Sequence, residues 1–274
     1  MHSAIPNFLF LSYPMINILV VIYQILFFLR VPFALGFSII AFTVLLRLIL
    51  YPLTSSQLKA TRKMQEINPH LNKLKQKHKN DAKMLQQETM RLYKEHGVNP
   101  AAGCLPLIVQ LPVIWALYQV LQDIVKYSPT EINKILYSNS IKLANNWDTN
   151  FFGLPLAQNP SHLLSTIGPV VLLIPVLTAV FQFIQSKMLL ATPPQPKELI
   201  KDLEKNKESD FATAFQSQSL YILPLMLAFF SYGFPIGLSL YWNTFTVFGI
   251  IQQYRISGLG GLKEWTDKLN GKKN

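Results

Sequence analysis

Five runs of apolar residues, at about 33–57, 101–123, 163–189, 217–233 and 235–254, are long enough to cross a bilayer as helices. The last two are separated only by "SYGFPIG", whose glycines and Pro235 suit a tight turn, so they form a helical hairpin. Residues 8–29 make a sixth run. Tyr13, Asn17 and Gln24 fall at i, i+4 and i+11 as a narrow polar stripe, and Arg30-Val31-Pro32 closes the segment sharply. That pattern favours a helix lying in the membrane interface, with a true span left open. The stretch before it has no Lys or Arg, which argues against a cleaved signal.

Between the first two spans, residues 58–98 change period and polarity. Ile67, Leu71 and Leu74 repeat at i, i+4 and i+7, as do Leu85, Thr89 and Leu92, with "KND" between them and Gly97 as a stop. Two short amphipathic helices folding back on each other are expected. Asn99-Pro100 then opens the second span as cap and first helical residue. "SPTEI" at 128–132 has the form of a capping box and predicts a short surface helix to about Tyr137. Residues 191–215 begin with prolines and continue with mixed charge, which reads as a mobile loop with a partly helical stretch.

Composition agrees with the pattern: half of the 274 residues are hydrophobic and only 14% are charged, too apolar for one soluble core. The net charge of +11 would suit nucleic acid were it not concentrated in loops beside apolar runs. Residues 58–98 carry ten Lys or Arg, residues 125–162 carry three and the tail from Arg255 carries five. The basic loop and the C-terminus are therefore expected in the cytoplasm, with the N-terminus outside. The charge of the first loop fits a solvated face beside anionic headgroups, at about 1 kcal/mol per basic residue; contact with ribosome or nascent chain is the sharper alternative. Cys104, the single cysteine, forms no internal disulfide.

Arg47 lies inside the first span, where an ionised group costs about 2.5–3.5 kcal/mol on insertion scales. Thr43, Tyr51 and Thr54 share its helical face, and on a continuous helix Thr54 would lie roughly 10 Å further along the axis. Snorkelling to the boundary is the bland account of this arginine. Against it stand Gln110, Gln119, Gln182, Gln185, Asn243 and Gln252 at span depth. Each alone is helix glue more often than function. Together they point to a wet cavity, because in lipid such groups converge only on protein or water. No acidic residue within the spans is clearly placed to pair with Arg47; Asp123, at a span end, is the nearest candidate.

The order "LLRLILYPLT", "LYKEHGVNPAAGCLPLIVQLPVIWALY", "FFGLPLAQNP" before "VFQFIQSKML", and "FPIGLSLYWNTFTVFGIIQQ" resembles the membrane-insertase family called YidC in bacteria and Oxa and Alb in organelles. The resemblance runs from about Tyr13 to Tyr254. It implies an all-α polytopic membrane protein of the bacterial plasma membrane: five transmembrane helices around a hydrophilic groove, with an N-terminal interfacial helix and a cytoplasmic helical hairpin. Residues 1–31 would form the outer segment, 32–254 the core and 255–274 a basic tail. The groove would open to cytoplasm and lipid with Arg47 at its heart. Gln185, Gln182 and Trp242 match the family's glutamine and tryptophan positions; Thr43, Thr54, Gln110 and Asn243 complete the expected lining. Unlike the large Gram-negative members, the chain is expected to have no big periplasmic domain and no separate signal anchor. Its short tail, "GLKEWTDKLNGKKN", is too weakly basic to favour ribosome docking there.

The function implied is insertion of nascent membrane proteins, with lipids as further partners, no cofactor, no direct nucleic-acid role and activity as a monomer. Ribosome and Sec translocon are further partners the resemblance brings in, and the residues do not decide between action alone and action beside Sec. No nucleotide chemistry is expected, since GxxxxGK[ST] is missing, and HExxH and GxSxG are missing too. The rival from another class is an ion-coupled transporter or channel, which would want intramembrane carboxylates or an internal repeat of broken helices.

Overall fold

The structure, a computed structural model, describes residues 9–78, 81–97, 111–120, 129–143, 147–189 and 211–269. It is mostly helical and divides into two compact units, one of residues 1–50, 107–181 and 226–248, the other of residues 51–106, 182–225 and 249–274. Gln110, Cys104, Asp123, the start of the second span at Asn99-Pro100 and loop residues 191–210 lie outside the described residues.

In the first unit, α1 (Leu9–Phe28) packs along α2 (Ala34–Ile49). Ile16, Leu19, Val20 and Tyr23 on α1 and Leu35, Ile39 and Phe42 on α2 recur at helical spacing and form the buried seam. α6 (Leu111–Val120) adds Ala116, Leu117 and Val120, and α11 (Ile236–Ser257) adds Leu238 and Tyr241. Ser12 Oγ reaches Gln119 Oε1 at 3.3 Å, so that glutamine is glue between α1 and α6.

The polar stripe of α1 is turned the opposite way from the interfacial expectation. Asn17 Nδ2 donates to Ile135 O at 3.2 Å and to Tyr13 O at 2.8 Å, while Tyr137 N donates to Asn17 Oδ1 at 2.7 Å. Gln24 Nε2 donates to Ile141 O and Lys142 O. The stripe thus satisfies the loop's backbone instead of meeting water. The face left exposed is apolar: Ile18, Val21, Ile25 and Phe28, the last 86% exposed. Asn17→Ala strands a loop N–H and a carbonyl, at about 1–3 kcal/mol for each buried group left unpaired. The expected result is a lower unfolding midpoint in detergent and faster proteolysis between residues 133 and 143.

That loop departs from expectation in its helix, which ends at Ile132 instead of Tyr137: α7 spans only Pro129–Ile132. Asn133 takes over there, its Nδ2 donating to Leu143 O and its Oδ1 accepting from Leu143 N, which pinches residues 133–143 into a closed loop. Further on, β1 (Asn150–Phe151) and β2 (Leu154–Pro155) form a minimal hairpin that the all-helical reading did not contain. Its two-residue turn puts Phe152 at φ 51° and Gly153 at φ 83°, the left-handed conformations this hairpin needs. Phe33, also left-handed at φ 55°, packs 4.7 Å from Phe152. α8 (Pro160–Leu163) follows. The third span begins at Pro169 and not at 163, because Gly168 at φ 88° followed by proline sets the helix start. Leu156 O and Gln158 O accept from Gly237 N and Ile236 N, capping the otherwise unpaired first turn of α11.

α9 (Leu173–Leu189) and α10 (Phe211–Gly233) belong to both units, as does α11. Among the described residues, Pro169–Leu189 is the one unbroken helical stretch that by length and composition alone is able to cross a membrane, and the broken pair Ala34–Ile49 and Tyr51–Leu71 is a second if it counts as one span. α10 and α11 have 23 and 22 residues, enough for the hydrocarbon thickness, and carry more polar groups. Leu173, Val176, Leu177 and Val180 on α9, and Ile222, Leu225, Met226 and Phe229 on α10, form exposed apolar stripes at helical spacing. Like the stripe on α1, each is a run of large apolar side chains at helical spacing, the kind of surface that suits hydrocarbon.

The first span is not one helix over 33–57. It breaks at Leu50, and α3 (Tyr51–Glu66) starts anew. Pro52 has no N–H to offer Leu48, and its ring collides with that carbonyl in a continuous helix. In the second unit α3 leads through the buried Ile67 to α4 (Asn68–Lys77), which packs on α5 (Ala82–Glu95). Asp81, from the expected turn, caps α5 by accepting from Met84 N at 2.9 Å. After α11 the chain does not trail away. Gly260, at φ 52°, lies so close to the Met188 carbonyl that no Cβ fits, and Trp265 on α12 (Lys263–Leu269) packs 5.8 Å from the Phe183 ring with Lys187 over its face.

Candidate functional site

Arg47 sits in the last turn of α2, and the fold answers its cost in a way the sequence did not show. Its Nη2 and Nε donate to Phe245 O at 2.6 and 3.1 Å, and its guanidinium carbon lies 3.3 Å from the centre of the Phe245 ring. The Phe248 ring is 6.0 Å away. A charge-assisted hydrogen bond contributes about 1.5–3 kcal/mol. A desolvated cation over a ring face contributes about 2. Together they offset the cost of placing the charge at that depth. The residue was expected to be wet; it is 4% exposed, because the Phe245 ring covers the guanidinium.

The ion pairs among the described residues, Arg62 with Glu66 and Arg91 with Glu88 and Glu95, all lie in the basic loop. Arg47 is thus held by a carbonyl dipole and a quadrupole, and neither cancels its charge. The exposed pairs contribute little stability. In the same loop, burial raises the Tyr93 phenol above its ordinary pKa.

The other sequence-named residues divide by environment. Thr43, one turn before Arg47, is fully buried and its hydroxyl donates to Ile39 O at 2.6 Å, so its polarity is spent on its own helix. Trp242 and Asn243 precede Phe245 by three and two residues on α11 and are half-buried. Asn243 Oδ1 is buried without a donor among the described residues. In the second unit Thr54 accepts from Gln252 Nε2, Gln182 donates to Ser186 Oγ at 3.4 Å, and Gln185 is half-buried.

Sequence reasoning missed Phe245 and Phe248, the platform for Arg47. Tyr241, Phe245, Phe248 and Gln252 recur at i, i+4, i+7 and i+11, and that aromatic stripe ending in an amide was the available signal. It also missed a buried hydroxyl chain: Thr178 Oγ1 lies 3.3 Å from Ser231 Oγ, which lies 2.8 Å from Ser239 Oγ, joining α9, α10 and α11.

The family model described as 60Kd inner membrane protein matches residues 14–260. Proteins named Membrane protein insertase YidC are similar to the chain. That of Fusobacterium nucleatum subsp. nucleatum is 35% identical over 226 residues, 82% of this chain and 87% of that protein. Those of Streptomyces avermitilis and Rickettsia felis are 33% and 32% identical over 80% and 81% of this chain, which spans only 50% and 35% of them. A solved structure described as an active YidC insertase with its first transmembrane domain resolved matches with a TM-score of 0.51 and 26% identity, over 85% of this chain and 45% of that one.

Proposed function

We propose, from the premise that the chain belongs to the 60Kd inner membrane protein family, that it inserts nascent membrane proteins into the bilayer. The observation that carries the reading is the buried guanidinium of Arg47, held by Phe245 and without an ion-pair partner among the described residues. A fixed positive charge between low-dielectric walls attracts acidic residues on the segment that must cross. Phe245 O engages two of the five guanidinium N–H groups, so an arriving carboxylate binds by displacing the Phe245 ring or by taking donors the carbonyl leaves.

The lining of the groove in this proposal is the set named from the sequence: Arg47, Thr43, Thr54, Gln110, Gln182, Gln185, Trp242 and Asn243. Five spans surround it, with the hairpin at 58–98, the loop at 191–215 and the tail in the cytoplasm and the N-terminus outside. The groove shortens the distance a polar segment crosses through hydrocarbon. The driving force is transfer of the client's own apolar helix into lipid, at about 25 cal/mol per Å² removed from water, with no nucleotide consumed. In this reading the exposed apolar stripes on α1, α9 and α10 face lipid, and the protein acts as a monomer.

Purified protein in liposomes, given a single-spanning client and no nucleotide, is expected to move the client's tail into the lumen, where added protease cannot reach it. Solute flux without protected tail would replace this reading with the transporter.

A further inference from the structure

Gln252 makes contacts that the attraction step at Arg47 does not use. It lies two turns beyond Phe245 on α11 and is 1% exposed. Its Nε2 is 2.7 Å from Thr54 Oγ1, 3.0 Å from Ser55 Oγ and 3.2 Å from Tyr51 O. A carbonyl only accepts, so the amide nitrogen, and not its oxygen, has to face Tyr51. All three acceptors belong to the start of α3, immediately after the break at Leu50.

A helix that begins at a proline break is tied to what precedes it by few torsions. Its direction has to be fixed by side contacts. Among the described residues the other hydrogen bond from α3 to α11, Arg62 Nη1 to Ile256 O, is exposed and long at 3.5 Å. It holds α3 far less firmly than a buried amide whose two N–H groups are shared among three acceptors. α3 passes its direction on through Ile67, a single buried residue, to the α4–α5 hairpin.

We propose that Gln252 is a positioning residue that clamps the first turn of α3 to the end of α11 and so sets where the basic hairpin stands. Its consequence for activity rests on the insertase reading. The clamp itself does not.

The test uses the full chain in liposomes and reads two quantities: hydrogen exchange at residues 51–66, and client insertion. Gln252→Met keeps shape and removes the donor; Thr54→Val with Ser55→Ala removes two acceptors and guards against a failure specific to position 252. Each is expected to speed exchange at 51–66 about tenfold and lower insertion severalfold, with exchange in α9 unchanged. Combining them is expected to give less than the sum of the two effects, since both remove the bonds from Gln252 Nε2 to Thr54 and Ser55; Thr54→Val also removes the 3.1 Å bond from Thr54 Oγ1 to Tyr51 O. Unchanged exchange at 51–66 in both variants overturns the clamp. Faster exchange with full insertion overturns its positioning role, as does additivity of the two changes. A wild-type protein that inserts no client defeats the insertase reading separately, and the exchange result still decides the clamp.

Discussion

Arg47→Ala is expected to lower the insertion of clients with acidic translocated tails by about tenfold or more, and of clients with neutral tails by no more than about twofold. The magnitude follows from the site. Two unit charges 4 Å apart attract by about 4 kcal/mol at an effective dielectric of 20. Desolvation of the client carboxylate and relaxation of Phe245 take back part of this, and about 1.4 kcal/mol surviving in the transition state is already tenfold. The fold should withstand the change. Removing the arginine forfeits its bond to Phe245 O and its contact with the ring, but also relieves the cost of a buried cation, and the terms are of similar size. Arg47→Lys keeps the charge and loses the two-donor grip, so it should fall between. Initial rates across a client series differing only in tail charge make the measurement. Equal losses for acidic and neutral tails would mean that Arg47 supports the helix and attracts nothing.

The second large effect concerns stability. In α2 the edge of the Phe151 ring fills the space where a Cβ on Gly36 would stand. The ring has little room to yield: Phe152 lies 4.8 Å away, Phe37 5.4 Å and Phe33 6.2 Å between ring centres. In an open helix Gly→Ala gains about 1 kcal/mol. Here overpacking, at about 1–3 kcal/mol, opposes and exceeds it. Gly36→Ala is therefore expected to destabilise by about 1–2 kcal/mol and Gly36→Val by more, read as unfolding midpoints in detergent. Phe151→Ala should reverse the sign at position 36, making Gly36→Ala stabilising in that background. An additive pair would show that ring and glycine do not meet.

Helices were legible wherever a period and a stop signal coincided. Pro235 between two apolar runs gave the link from α10 to α11, and Leu71 and Leu92 on opposed faces gave α4 and α5. Breaks were less legible. Pro52 was in plain view, yet the apolar run continues past it on both sides, and hydrophobicity does not reveal which backbone bond a proline removes. The β-hairpin at Phe151 was hidden for another reason: Phe152 is a poor residue for a left-handed turn, and it packs there against the rings of Phe33, Phe37 and Phe151.

The sequence alone determined that this chain lives in hydrocarbon, that its basic residues gather in two places and that one arginine lies where charge is costly. Composition and periodicity carry such facts because they depend on how each residue meets its solvent. Tertiary structure alone decided what each polar group bonds to. Asn17 and Gln24 turned from an expected watery face onto a loop, Thr43 onto its own helix, Gln252 onto α3, and Arg47 onto a carbonyl and a ring 198 residues away. The reason is physical: burial is set by area and can be read along the chain, whereas a hydrogen bond needs two groups within about 3 Å at a fixed angle, and no local pattern records which distant backbone atom will arrive there.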